Sequence, residues 1–271
     1  MALLARTTAT RHRGRLSIAQ ALALGLIQGP AEVLPVSSSG HLVLVPALLG
    51  WPYARLPADV RKTFEVALHT GAGLALLWLL RSDAAAAARD PFGTALLTAP
   101  AAAIALALED TIEERASNPQ IAAAAMIAGG IGLWATDSAT NPPKSLRGFS
   151  QGCVGVAQAA ALVPGVSRNG ATLTAARALG FDREASARLS WRAGLPIIGG
   201  ATLLKLVRLA QRGLAPELRA PFAAGAAAAL ASTLAAAPLL RVRRHQLTAA
   251  YRVAFGALAL RRLHRLEWLR G

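Results

Sequence analysis

Two short segments of the sequence concentrate side chains that can transfer a phosphoryl group. The first holds a carboxylate, consecutive hydroxyls and an imidazole: Glu32, the run Ser37 to Ser39, and His41. A serine hydroxyl becomes a nucleophile when a neighbouring base takes its proton, and Glu32 or His41 could serve Ser38 in this way. The pattern therefore predicts catalysis by Glu32, Ser38 and His41, with Ser38, His41 and an activated water as competing nucleophiles.

The second segment has an arginine among hydrogen-bonding residues, in the run from Ser167 to Asn169 followed by Thr172. The planar guanidinium of Arg168 can bind two phosphate oxygens and stabilise the charge on a departing phosphoryl group. Arg168 could instead pair with Glu32 and hold the two segments together, and the two roles are compatible. A carboxylate within an apolar segment needs a partner or a function, so Glu32 is a candidate site residue on its own account.

The chemistry of these residues predicts phosphoryl transfer on a lipid. They supply a nucleophile, a base and an arginine clamp, and the apolar body of the protein would hold a lipid tail. The sequence has no P-loop, zinc motif or nucleotide-binding glycine motif, so it does not predict the use of ATP. The remaining polar side chains of both segments are predicted to bind substrate: Gln28, Ser37, Ser39, Ser167, Asn169 and Thr172.

The composition is that of a membrane protein. Of 271 residues, 54% are hydrophobic and only 16% are charged, against roughly 25% charged in an ordinary soluble domain. The net charge of +15 is spread over the short loops and both ends of the chain, and forms no basic patch with interleaved aromatics, so we expect no nucleic-acid partner. The basic residues suit loops that meet anionic headgroups. The single Cys153 excludes an internal disulfide.

Six apolar stretches have about the length needed to cross a bilayer. Proline, glycine or charged residues separate them, for example at 81–91, 109–115 and 141–144. Lysine and arginine are divided too evenly between alternate loops to orient the chain. The predicted spans are residues 64–81, 90–109, 118–136, 188–208, 217–239 and 248–266.

Two further apolar segments, residues 17–49 and 149–180, are each broken midway by proline, glycine and hydroxyl residues. Each half is too short to span a bilayer, so we predict two re-entrant helix–loop–helix hairpins. The segments match at a constant offset of 130 residues, with seven identities in sixteen positions, and three predicted spans follow each of them. An odd number of spans inverts the second copy and brings both loops towards the membrane midplane.

The predicted fold is therefore an all-α polytopic membrane protein with about six transmembrane helices and two re-entrant segments in an inverted repeat. Residues 1–271 form a single membrane domain. The first repeat covers about 17–136 and the second about 149–266. This geometry predicts that both broken loops contribute to one shared site.

The two segments resemble the signatures of a known family. The run Gln28 to Leu42 is similar to the first signature of the undecaprenyl-diphosphate phosphatases, also called bacitracin-resistance proteins, and Pro164 to Thr172 is similar to the second. The runs Phe64 to Gly71 and Tyr251 to Gly256 add support, so the resemblance covers nearly the whole chain. It implies hydrolysis of undecaprenyl diphosphate to undecaprenyl phosphate, which recycles the lipid carrier of cell-wall synthesis and confers resistance to bacitracin.

The resemblance also carries expectations about the site and its surroundings. It implies a divalent cation, Mg²⁺ or Ca²⁺, with Glu32 as the candidate ligand. It places Glu32, Ser38 and His41 on the first signature and Arg168 on the second. The expected location is the bacterial inner membrane, with the pocket at its outer face. Expected partners are a polyprenyl diphosphate and membrane lipids, and a homodimer is left open.

The chain departs from the family pattern at two positions. Gln28 stands where many members have Glu, which leaves Glu32 as the only carboxylate of the two signatures, and Asn169 replaces the usual Ser. A lipid-phosphate transporter is the main alternative, because carriers also use inverted repeats with broken helices. Such a carrier would not need the nucleophile that Ser38 offers. Another class of lipid phosphatases needs a His and an Asp shortly after its Ser-Arg pair, and neither follows Arg168 here.

Overall fold

The computed structural model describes residues 16–108, 118–137 and 148–268. All the regular elements in these ranges are helical, which agrees with the predicted all-α class, and their apolar stretches are compatible with a membrane protein. The loops predicted at 109–115 and 141–144 lie outside the described residues. In chain order the α-helices are α1 Ile18–Val33, α2 Ser38–Leu49, α3 Ala58–Leu79, α4 Arg81–Arg89, α5 Pro91–Ala107, α6 Pro119–Asp137, α7 Gly148–Ala159, α8 Arg168–Ala178, α9 Arg183–Arg212, α10 Pro216–Ala235 and α11 Gln246–Trp268. Short 3-10 turns follow α2, α7 and α10, at Pro52–Arg55, Ala160–Leu162 and Ala237–Arg241.

A helix lies at each of the six predicted spans, but the helices differ in how well they could cross a bilayer. Among the described residues, α6 and α10 are long and apolar enough to do so, each with a mean hydropathy of 1.2 over the best window. The pair α3 and α4 would make a third span if counted as one, although it bends by 79° at its break. Helices α9 and α11 are long enough but carry charged side chains along their length, whereas α5 has only 17 residues.

The structure differs from the predicted bounds at two places. The first predicted span, 64–81, does end at a break, because α3 ends at Leu79 before the bend at Leu80, but α4 occupies most of the stretch 81–91. Its run of alanines explains the helix, because alanine has the highest helix propensity. The last turn of the predicted span 217–239 is a 3-10 turn, because α10 ends at Ala235 before Pro238.

Both broken segments fold as a helix, a short loop and a second helix. Helix α1 ends at Val33, and its C-cap residue Leu34 is extended, because a following proline disfavours the helical conformation. Helices α2 and α8 begin after serines with positive φ, 71° at Ser37 and 70° at Ser167, and each serine accepts a hydrogen bond from the amide three residues on. These are the only non-glycine residues with positive φ in the described ranges.

The first helix of each broken segment packs closely on a helix from the other half of the chain. Helix α1 packs on α10, and α7 packs on α5. A Cβ atom at Gly25 would collide with the backbone of α10, and one at Gly155 would collide with the backbone of α5. Glycine is required at both positions because the helix backbones touch there. Helices α6 and α11 also pack on each other, so the two halves of the chain interlock at several places.

Candidate active site

A cavity of about 240 Å³ lies where the two broken segments meet. The first residues of α2 and of α8 both line it, so two helix N-termini border the same space. Free amide hydrogens and the positive dipole ends of helices favour an anion there. Helices α3 and α9 supply most of the remaining, largely apolar wall. The lining residues are Ala31, Glu32, Ser37, Ser38, Ser39, Val66, His69, Ala161, Ser167, Arg168, Asn169, Ile197, Ile198 and Thr202.

Glu32 lies at the end of α1 and receives hydrogen bonds from two sides. The Ser38 hydroxyl donates to its Oε2 over 2.6 Å, and the Gln28 amide donates to the same oxygen over 3.2 Å. Only about a tenth of the Glu32 side chain is exposed. The carboxylate therefore lies within direct proton-transfer distance of the Ser38 hydroxyl, as a nucleophile and its base must.

Arg168 approaches Glu32 from the other broken segment. Its Nη2 atom lies 4.0 Å from Oε1 of Glu32, which is ion-pair range but too long for a hydrogen bond. Nη1 donates to the Ser190 carbonyl over 3.2 Å, and the guanidinium stacks over the Trp191 ring at 5.3 Å. These contacts fix the guanidinium beside the carboxylate without saturating it, so Arg168 can still receive a phosphate oxygen.

His41 does not line this cavity. Its Nδ1 bonds to the Ser37 carbonyl at 2.7 Å, and its Nε2 bonds to the Tyr251 hydroxyl at 2.6 Å. The ring is nearly parallel to those of Tyr251 and Phe255, whose centroids lie 5.7 and 5.1 Å away. A general base needs a free lone pair directed at the proton it abstracts. Both ring nitrogens of His41 are hydrogen-bonded, so the geometry favours a role for His41 in holding the segment that carries Ser38 in place.

The predicted substrate-binding residues divide into two groups. Ser37, Ser39, Ser167 and Asn169 line the cavity, although the hydroxyls of Ser37 and Ser167 also cap their helices. Gln28 and Thr172 are fully buried and do not line it.

Gln28 and Thr172 support the site through hydrogen bonds, without lining the cavity themselves. Thr172 bonds to the Ser190 hydroxyl over 2.6 Å, and that hydroxyl in turn donates to the Asn169 amide oxygen over 2.6 Å. The Asn169 amide nitrogen then donates to the carbonyl of Val33 over 3.1 Å, which ties α8 to the end of α1. Asn169 therefore joins the two broken segments, a function that needs an amide at this position.

Arg252, on α11, also joins the two loops. It is fully buried, and it donates to the carbonyl of Pro35 over 3.1 Å, to that of Gly165 over 2.9 Å and to that of Val166 over 2.6 Å. One guanidinium thus holds both loop backbones at a fixed separation. Arg252 was not predicted as a site residue, although a charged residue within an apolar helix was a signal that could have singled it out.

His69, on α3, lines the cavity and was not predicted as a site residue. Its Nδ1 lies 3.1 Å from the Gln28 amide nitrogen and 3.6 Å from Oε2 of Glu32. His69 and Val66 are three residues apart on one helical face, and both border the cavity. The signal for His69 was present in the run Phe64 to Gly71, but the sequence alone does not bring α3 to the two loops.

The protein side chains that line the cavity could hold a metal ion only together with ligands from the substrate. Within the described ranges no group of three or more His, Cys, Asp or Glu side chains could hold an ion. Among the residues that the structure describes, Glu32 is the only carboxylate that lines the cavity, and Arg168 lies beside it. Magnesium commonly binds through one or two carboxylates together with substrate phosphates. The donor set therefore fits a cation shared between Glu32 and a diphosphate, and does not fit a cage made by the protein alone.

Comparison with known proteins gives consistent matches. The sequence model of the family described as "Bacitracin resistance protein BacA" matches residues 21–258. A protein of Geobacter sulfurreducens named undecaprenyl-diphosphatase is 42% identical over 258 residues, which cover 86% of this chain and 92% of the relative. Proteins of the same name from Trichlorobacter lovleyi and Gemmatimonas aurantiaca are 40% and 37% identical, and the matches cover 78% and 89% of this chain and 83% and 96% of those proteins.

Proposed function

This chain belongs to the bacitracin resistance protein BacA family, and we propose that it hydrolyses undecaprenyl diphosphate to undecaprenyl phosphate and inorganic phosphate. The chain is thus an enzyme, a membrane phosphatase whose reaction recycles the lipid carrier of cell-wall synthesis and underlies resistance to bacitracin. The observation that carries the proposal is the 2.6 Å hydrogen bond from Ser38 to Glu32 in a cavity that Arg168 also lines.

The mechanism has two steps. In the first, the Ser38 hydroxyl oxygen forms a bond to the terminal phosphorus, its proton passes to Glu32, and the bond from that phosphorus to the bridging oxygen breaks to release undecaprenyl phosphate. In the second, water attacks the phosphoserine and the bond from phosphorus to the Ser38 oxygen breaks. Glu32 returns its proton to that oxygen, and inorganic phosphate departs with both protons of the water. Arg168 and the helix N-termini of α2 and α8 stabilise negative charge on the transferred group in both steps.

A divalent cation, Mg²⁺ or Ca²⁺, belongs to the same proposal. Glu32 would hold it together with the diphosphate oxygens. The ion would neutralise part of the charge on the diphosphate when bound. Glu32 lies in ion-pair range of Arg168 and offsets part of its charge, which leaves part of the substrate's charge for the ion to neutralise.

We also propose that the protein crosses the inner membrane several times, with its two broken segments as re-entrant hairpins of an inverted repeat. The 130-residue offset relates Ser37 to Ser167 and Gly25 to Gly155, which are the paired helix caps and the paired sites of close helix contact. It also relates the carbonyls of Pro35 and Gly165, both of which bond to Arg252. This correspondence of contacts supports two copies of one unit that meet at the cavity.

The decisive assay is phosphate release from undecaprenyl diphosphate by the purified protein in detergent. Substitution Ser38→Ala should lower turnover by at least about 1,000-fold, since removal of a nucleophile abolishes covalent catalysis. Ser17→Ala, at an exposed helix cap, is the matched control and should retain full turnover. Near-normal release by Ser38→Ala would exclude Ser38 as nucleophile. No release by the unmodified protein would favour a lipid-phosphate carrier instead.

A further inference from the structure

His69 offers the cavity a nitrogen donor that lies outside both broken segments. A third of its side chain is exposed, 33%, against 10% for Glu32 and 13% for Arg168. It is therefore the most open of the three ionisable side chains that line the cavity. His69 takes no part in the two steps proposed for hydrolysis.

The hydrogen bonds around Gln28 fix which ring nitrogen of His69 carries the proton. The Glu32 carboxylate only accepts hydrogen bonds, so the Gln28 amide must present its NH₂ group to it, 3.2 Å away. The same nitrogen lies 3.1 Å from Nδ1 of His69 and donates its second hydrogen there. Because Nδ1 accepts, the neutral ring carries its hydrogen on Nε2.

The charge balance of the cavity calls for another donor. A lipid diphosphate brings two phosphate groups, and in the part of the chain that the structure describes Arg168 is the only arginine or lysine that lines the cavity. Glu32 lies in ion-pair range of Arg168 and takes up part of its charge. Nε2 of His69 is the one cavity-lining ring nitrogen that neither Gln28 nor Glu32 engages among the described contacts.

We propose that His69 is a substrate-binding residue that donates its Nε2 hydrogen to an oxygen of the lipid diphosphate. The proposal rests on the phosphatase function above, because it assumes that a diphosphate occupies the cavity. Gln28 is then a positioning residue, since its amide holds the ring in the tautomer that donates. This role also explains a fully buried glutamine that does not reach the cavity itself.

The test compares His69→Leu with His69→Gln. Leucine removes the donor, whereas the amide nitrogen of glutamine reaches about as far as Nε2. The readouts are KM and kcat on undecaprenyl diphosphate, and the Kd of a non-hydrolysable polyprenyl methylenediphosphonate by calorimetry in detergent. A hydrogen bond to a charged group predicts a rise in KM and Kd of about tenfold or more for His69→Leu. We expect His69→Gln to stay within about threefold of the unmodified protein, with kcat little changed in both.

Controls separate this role from a structural one. His264→Leu removes an exposed histidine on α11 and should leave Kd unchanged. If His69→Leu does not fold, His69→Asn replaces it, because asparagine is polar but too short to reach the position of Nε2. Equal weakening by His69→Leu and His69→Gln, or a Kd within twofold of the unmodified value for His69→Leu, would overturn the proposal. Binding of the analogue without phosphate release would instead count against the phosphatase function alone.

Discussion

Replacement of Arg252 by methionine tests whether one buried guanidinium sets the geometry of the active site. Arg252 donates to three carbonyls, those of Pro35, Gly165 and Val166, at 3.1, 2.9 and 2.6 Å. Methionine keeps much of the aliphatic volume but donates no hydrogen bond. The substitution therefore leaves three loop carbonyls without this donor and removes the only side chain described as bonded to both loops.

The size of the effect follows from two opposing terms. Each buried carbonyl left without a partner costs about 1–3 kcal/mol, so three cost about 3–9 kcal/mol. Removal of a buried charge returns several kcal/mol of desolvation free energy, and no acidic side chain among the described residues pairs with Arg252. We expect a net destabilisation of about 2–4 kcal/mol, which corresponds to a fall in Tm of about 5–10 °C.

The effect on catalysis should exceed the effect on stability. Ser38 and Arg168 begin the helices that follow the two different loops, and a relative shift of about 1 Å between them costs about 100-fold in rate. We therefore expect Arg252→Met to lower kcat/KM by about 100-fold at a temperature where the variant is still folded. Arg252→Lys retains a charged donor for one or two of the carbonyls, so its kcat/KM should lie between that of Arg252→Met and that of the unmodified protein.

Phosphate release and thermal unfolding in the same detergent provide the measurement. Arg262→Met, at an exposed position on the same helix, is the matched control and should change neither quantity. A folded Arg252→Met protein with kcat/KM within fivefold of the unmodified enzyme would show that the loops hold their positions without the guanidinium.

Two further predictions concern Glu32 and Asp90. Glu32→Gln keeps the shape of the side chain but removes the base, so turnover should fall by at least about 100-fold. We expect Mg²⁺ added after chelation to restore the activity of the unmodified protein but not that of Glu32→Gln. Full activity in this variant would argue against Glu32 as base and ligand. The Asp90 carboxylate accepts a hydrogen bond from Arg192 and caps α5, and the Arg192 bond, then the Gly93 amide, hold its pKa below the usual value. A carboxyl whose pKa is lowered by folding stabilises the folded state at a pH above its unfolded-state pKa of about 3.9, and this contribution is lost as the pH falls through its folded-state pKa. Tm should therefore drop more steeply below about pH 4 in the unmodified protein than in Asp90→Asn. Parallel curves of Tm against pH would contradict the assignment.

Local residue chemistry predicted the broken segments and part of the site. The Pro, Gly and Ser runs disfavour a continuous helix, so the interruptions near Pro35 and Pro164 could be predicted from the local sequence. Glu32 and Ser38 are six residues apart in one such segment, and this short separation made their proximity predictable. The pairing of Arg168 with Glu32 was inferred from the repeat offset, and the two side chains do lie in ion-pair range.

The sequence spacing of Ser38 and His41 does not predict where the two side chains lie. Ser38 and His41 are three residues apart, which predicts a shared helical face, yet Ser38 faces Glu32 while His41 is enclosed by Tyr251 and Phe255. Ser38 is the first residue of α2, where the positive φ of Ser37 redirects the chain, so ordinary helical spacing is a poor guide there. The partner that captures His41 lies 210 residues away and could not be read from the segment itself.

The sequence by itself thus determined the helical, apolar class of the protein, the two interruptions and the reactive groups within each, because these depend on side-chain type and near neighbours. Only the tertiary structure decided that His69 borders the cavity, that His41 does not, and that Arg252 joins the two loops. Those contacts depend on how each helix is rotated and how closely it packs. Glycines such as Gly25 and Gly155 set this through backbone contact with helices far away in the chain.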